Sequence, residues 1–126
     1  MTMEISNSGS DLKLWDKEHL LVQIGGNESI LMQLVDMFLV DVPNQIESLK
    51  NELDSNNLEG AIGLAHGIKG SALNLGAFQF AEVGSLMEEA AKENNTDFLY
   101  TNLPKLRESY DTVAAVFRAY KQSEGS

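Results

Sequence analysis

The chain has 126 residues, 43% of them hydrophobic and 22% charged, with nineteen acids, nine bases and no cysteine. That length suits one domain with a single core. The net charge of −10 argues against nucleic acid and against an anionic membrane surface, because both demand a basic face. The absence of cysteine excludes disulfides, thiolate catalysis and zinc–sulfur sites.

Residues 1–10 are small and polar, with no secretory pattern, and read as a disordered tail. Residues 123–126 read as a second tail, so a helical domain is expected over 11–122. Apolar residues recur at intervals of three and four, and strict alternation is missing, so the predicted class is all-α. A first helix is expected from Asp11 to Ile24, with Leu12, Trp15, Leu20 or Leu21 and Ile24 as its apolar points. Gly25-Gly26 ends it. Asn27 is the expected N-cap of a second helix. That helix carries a stripe from Ile30 to Leu53, with Met32, Met37 and Phe38 read as core. Pro43 lies inside the stripe. The phase is kept across it, which favours a kink over a break.

Asn56 with Glu59 suggests a capping box for a third helix over about 57–75, ended by Gly76. A fourth runs from about Ala77 to Glu93. Thr96 is the expected cap of a fifth, bent early by Pro104. Four long amphipathic helices on short connections predict an antiparallel up-down bundle, with the short first helix as an extra cap over one end.

Residues 58–77, LEGAIGLAHGIKGSALNLGA, hold five of the ten glycines, and the four between 60 and 70 fall inside a helix. Each costs about 1 kcal/mol relative to alanine at an exposed helical position. Leu58, Ala61, Ile62, Leu64, Ala65, Ile68, Ala72, Leu73 and Leu75 form the predicted core arc. His66 falls just outside it. Gly63 at i−3 and Gly70 at i+4 leave its ring unscreened. Lys69, at i+3, is the only cation between Lys50 and Lys92. A bare imidazole beside a lone cation suits an arriving anion, with phosphoryl the obvious candidate. A neutral imidazole is a fair nucleophile near pH 7, and Lys69 offsets charge on the group transferred. Ser71 could add a hydroxyl, although at i+5 it points away.

Helix arithmetic places Glu88 near the height of His66. Ten residues lead up to Gly76 and twelve lead down from it, at about 1.5 Å each. Gly84 and Ala91 flank Glu88 and allow close helix approach. A lone histidine on a helix edge is more often a solvated surface residue, and Glu88, near Glu89 and Glu93, is more often a solvated carboxylate. His19 reads as ordinary surface.

A65-H66-G67-I68-K69-G70-S71, followed by N74-L75-G76-A77, resembles the signature of histidine-containing phosphotransfer (HPt) domains of bacterial and fungal phosphorelays. The likeness extends over roughly residues 12–121. It implies a four-helix bundle with the histidine exposed at its middle. It implies that His66 accepts a phosphoryl group from a receiver-domain aspartate and passes it to another receiver. Partners would be response-regulator receiver domains and a hybrid sensor kinase, with no nucleic acid or membrane contact. The protein would be a cytoplasmic monomer.

No cofactor is implied for the chain itself, because the Mg²⁺ belongs to the receiver. No metal site and no enzyme activity of its own are implied either. In the family a Gln or Glu at the distance of Glu88 hydrogen-bonds the ring. Glu there is more typical of domains phosphorylated directly by an ATP-dependent, chemotaxis-type kinase. Gly67 stands where a bulkier residue is common, and joins Gly63 and Gly70 as an access residue.

Other readings fit the residues less well. A kinase dimerisation helix resembles His-Glu followed by a base and then Pro, whereas here Gly follows His66. No Gly-rich ATP loop and no Glu-x-x-His pair of a di-metal bundle is present. A helical adaptor that is never phosphorylated stays as the alternative from another class.

Overall fold

The computed structural model describes residues 12–125. It contains α1 (Lys17–Gln23), α2 (Glu28–Asp54), α3 (Leu58–Leu75), α4 (Phe78–Lys92) and α5 (Thr96–Gly125). Helices α2 to α5 each pack on the next, and α5 closes back on α2, while α1 lies against α2 and α3. This is the expected bundle with an added N-terminal helix. The tail expected over 1–10 lies outside the described residues. At the other end α5 runs on to Gly125, through most of the segment read as a tail.

The first helix is shorter than expected. Asp16 caps it, its carboxylate accepting from the His19 amide at 3.1 Å, so the helix starts at Lys17. Residues 12–16 instead cross the α3–α4 turn. The Asp16 amide donates to Gly76 O at 2.8 Å, and Gln79 N donates to Lys13 O at 3.1 Å. The Trp15 indole N–H donates to Leu75 O at 2.8 Å. These bonds satisfy carbonyls at the end of α3 and an amide at the start of α4, which helices otherwise leave orphaned. Trp15 packs edge-on against Phe117 and Tyr120. Leu12, expected as an apolar point of a helix, is exposed.

Gly25 and Gly26 take left-handed conformations after α1. Asn27 caps α2 by accepting from Ile30 N. The stripe Leu31, Val35, Phe38, Val42, Ile46, Leu49 and Leu53 is buried, and α2 is unbroken through Pro43. Met37 was expected in the core but is exposed. One residue turns the helix by about 100°, which carries Met37 off the line of Phe38. Leu73 is exposed for the same reason, one residue past buried Ala72.

Two caps differ from expectation by one residue. Asn56 adopts the left-handed conformation after α2. Asn57 caps α3, accepting from Gly60 N at 3.1 Å. Glu59 is therefore one position too early for a capping box. Asn94 and Asn95 repeat the arrangement: Asn94 is left-handed, and Asn95, not Thr96, caps α5 by accepting from Phe98 N. At each turn the first Asn tolerates positive φ and the second supplies the capping oxygen.

Candidate functional site

His66 is the ninth of the eighteen residues of α3. Its neighbours Ala65 and Ile68 are buried in the core, which fixes the helix rotation and turns the imidazole outward. The His66 side chain is 68% exposed. Nothing lies within 4 Å of where a Cβ would stand at Gly63 or Gly70. The helix surface on both sides of the ring is bare. A Cβ at Gly67 would meet the Gln45 amide at an ordinary 3.5 Å. Gly60 differs from these three. The Glu52 carboxylate lies 2.6 Å and the Asn57 amide 2.8 Å from its Cβ position, so it makes room for the turn and not for access.

Glu88 comes from α4 and is buried to 6% side-chain exposure. Its Oε2 lies 2.9 Å from His66 Nδ1. Its Oε1 lies 2.7 Å from Lys69 Nζ, and Lys92 Nζ stands 3.3 Å from Oε2. The Lys69 hydrogen bond is the largest influence on the carboxyl. With His66 and Lys92 it overcomes the opposing effect of burial and holds Glu88 at about 2. An ionised carboxylate only accepts hydrogen bonds, so Nδ1 of the ring carries the proton and donates. In the neutral ring the lone pair is then on Nε2.

The histidine expected to be bare and the glutamate expected near its height are thus brought into contact, with Lys69 joined to the same carboxylate. Ser71 is not brought to the ring. It lines a groove between α2 and α3 with Met37, Asp41 and Asn74. Lys92 escaped the sequence reading, although its i,i+4 spacing from Glu88 is a recognised pairing distance. One carboxylate and two ammonium groups leave a local charge of +1 beside the ring in a chain of −10. Among the described residues, no three or more His, Cys, Asp or Glu group as metal ligands would.

A family model described as the Hpt domain matches residues 33–116, from α2 into α5. The chain belongs to the Hpt domain family. The "Phosphorelay intermediate protein rdeA" of Dictyostelium discoideum is 22% identical over 111 residues, covering 88% of this chain and 44% of that protein. The chain therefore spans less than half the length of this curated relative. Among solved structures, histidine-containing phosphotransfer protein B (HptB) from Pseudomonas aeruginosa PAO1 superimposes with a TM-score of 0.81 at 22% identity. That alignment covers 87% of this chain and 96% of the other. The likeness establishes the fold of this Hpt domain.

Proposed function

We propose that this Hpt domain is a phosphocarrier of a two-component phosphorelay, with His66 as the residue phosphorylated. One observation carries the reading. An exposed imidazole has its Nδ1 held at 2.9 Å by a buried carboxylate, which leaves Nε2 free to attack.

Nε2 attacks the phosphorus of a receiver's aspartyl phosphate. The N–P bond forms as the P–O bond to the aspartate breaks, and the carboxylate leaves with the electron pair. The ring becomes positively charged, and its Nδ1–H stays bonded to Glu88, whose negative charge stabilises it. Attack by a second receiver's aspartate reverses these steps, with the ring as leaving group. Lys69 and Lys92 offset charge on the phosphoryl oxygens. Gly63, Gly67 and Gly70 admit the partner. Magnesium is a requirement of the receiver's pocket. The domain has no catalytic cycle of its own in this scheme and acts as a shaped substrate.

A shallow groove of about 340 Å³, lined by Leu12, Lys69, Leu73, Phe78 and others, opens beside the site. It supports a receiver footprint that reaches the N-terminal segment and the start of α4. No helix among the described residues is long and apolar enough to cross a membrane, and a monomer in the cytoplasm, serving a hybrid sensor kinase, fits the relay. The carboxylate identity of Glu88 favours a second reading in one respect, that an ATP-dependent kinase domain phosphorylates His66 directly.

The test incubates the protein with a receiver phosphorylated by acetyl phosphate and Mg²⁺. The expected product is an acid-labile, base-stable phosphate that His66→Gln abolishes. Label that survives His66→Gln rejects the site. Label from an ATP-bound kinase domain but from no receiver supports the second reading, and no label from either supports a plain adaptor.

A further inference from the structure

Gly84 sits on the buried face of α4, one turn before Glu88. A Cβ there would stand 3.3 Å from Lys69 Cα, 3.4 Å from Lys69 N and 3.5 Å from Lys69 Cβ. The first two are backbone atoms of α3, and they cannot rotate aside as the end of a side chain can. The contact falls inside the site, because Lys69 lies one turn after His66. The two helices that carry the hydrogen-bonded groups therefore touch backbone to backbone one turn from the His66–Glu88 bond, on the side of the Gly76 turn.

We propose that Gly84 is a positioning residue, which sets the α3–α4 separation at which the Glu88 carboxylate reaches His66 and Lys69 together. A methyl group at position 84 requires the helices to part by a few tenths of an ångström. The His66–Glu88 bond of 2.9 Å and the Lys69–Glu88 bond of 2.7 Å both span that gap. Both lengthen, and a hydrogen bond weakens steeply as its geometry is lost. The ring is then held less firmly by the acceptor that selects its tautomer. The phosphoryl-transfer consequence rests on the phosphocarrier reading, whereas the tautomer consequence does not.

The experiment compares the ring ¹⁵N signals of His66 in the whole chain and in Gly84→Ala across a pH titration. His19, the only other histidine, serves as internal reference. The wild type is expected to show one neutral tautomer, protonated at Nδ1. Gly84→Ala is expected to show a mixture of the two neutral tautomers. Phosphorylation by phosphoramidate, a small donor that needs no docking, is expected to slow several-fold.

Val113→Ala, which removes buried volume from α5, is the control for general loosening. It is expected to lower the melting temperature and leave the His66 signals in place. Identical His66 signals in Gly84→Ala and wild type overturn the proposal, as does an equal disturbance by Val113→Ala. A variant that does not fold in buffer is measured in trimethylamine N-oxide, which favours the compact state. Failure of the wild type to take phosphate from phosphoramidate or any receiver counts against the phosphocarrier reading, and the tautomer comparison still decides the role of Gly84.

Discussion

The Tyr110 hydroxyl on α5 donates to the backbone oxygen of Leu39 on α2 at 3.1 Å. Leu39 lies four residues before Pro43, so its carbonyl is the one that proline leaves without an amide partner. A side chain from across the bundle takes the place of the missing backbone donor. Burial pushes the Tyr110 phenol up from its ordinary value, which keeps the proton it donates.

Tyr110→Phe is therefore expected to destabilise the fold by about 1–2 kcal/mol, the cost of an unpaired buried carbonyl. Pro43→Ala restores an amide at position 43. In that background the same Tyr110→Phe change should cost distinctly less. Denaturant unfolding of the four proteins of this double-mutant cycle measures the coupling. Equal costs in both backgrounds would separate Tyr110 from the proline.

Gly70→Gln is expected to raise stability by up to about 1 kcal/mol through helix propensity, because the Cβ position is open. Phosphoryl transfer from a receiver should nevertheless fall sharply, since the new side chain stands over the approach to His66. Thermal melts and transfer assays on one preparation test both halves. Normal transfer would remove the access role of the glycine.

Lys69→Ala is expected to leave the bundle folded and to slow transfer on the order of tenfold, equivalent to about 1.4 kcal/mol of barrier. The change also removes the strongest of the influences that hold the Glu88 carboxyl low. The carboxyl of Glu88, followed by NMR, should therefore titrate at higher pH in the variant.

Glu88 itself links stability to acidity. Its folded value of about 2 lies below the usual 4.5, so the folded state favours the ionised form. Its contribution is complete above about pH 4.5 and is lost as the pH falls towards 2. The difference in melting temperature between wild type and Glu88→Gln should be widest above pH 4.5 and should narrow through that window. A constant difference would mean that the carboxylate charge does not stabilise the fold.

Trp15→Phe keeps the apolar contacts with Phe117 and Tyr120 but removes the donor to Leu75 O. A loss of about 1 kcal/mol is expected, with faster hydrogen exchange at the Asp16 and Gln79 amides. Unchanged exchange would show that the segment is held by packing alone.

Much of this arrangement is legible in the sequence, for physical reasons that can be named. Glycines at 63 and 70 flanking a histidine mark a bare helix face, because only missing side chains can make one. Gly76 marks the turn, because φ of +78° suits a residue without Cβ. Counting from that turn puts Glu88 level with His66, but counting gives height and not azimuth. The contact itself depends on the helix separation at Gly84.

The cap of α3 is displaced by one residue because adjacent asparagines can each serve in either role, and that of α5 because Asn95 and Thr96 are both competent capping residues. The stretch from Leu12 to Asp16 was misread because its apolar residues fit helical spacing. What decides it is the carbonyls of Leu75 and Gly76, sixty residues along the chain, which no local pattern encodes.

The two-residue connection at Gly76 and Ala77 has a further implication for how this chain can vary in length. One inserted residue would rotate Glu88 by about 100° and shift it about 1.5 Å along its axis, carrying the carboxylate away from the imidazole. Nor is there space to absorb an insertion, since a Cβ on Gly76 would already stand 2.6 Å from the Asp16 carbonyl. The connections at residues 55–57 and 93–95 carry no such constraint between His66 and Glu88. Length polymorphism belongs at those two connections, which share the end of the bundle opposite Gly76, where the Tyr100 hydroxyl meets Asp54, and the α3–α4 hairpin is the ruler against which the chemistry is set.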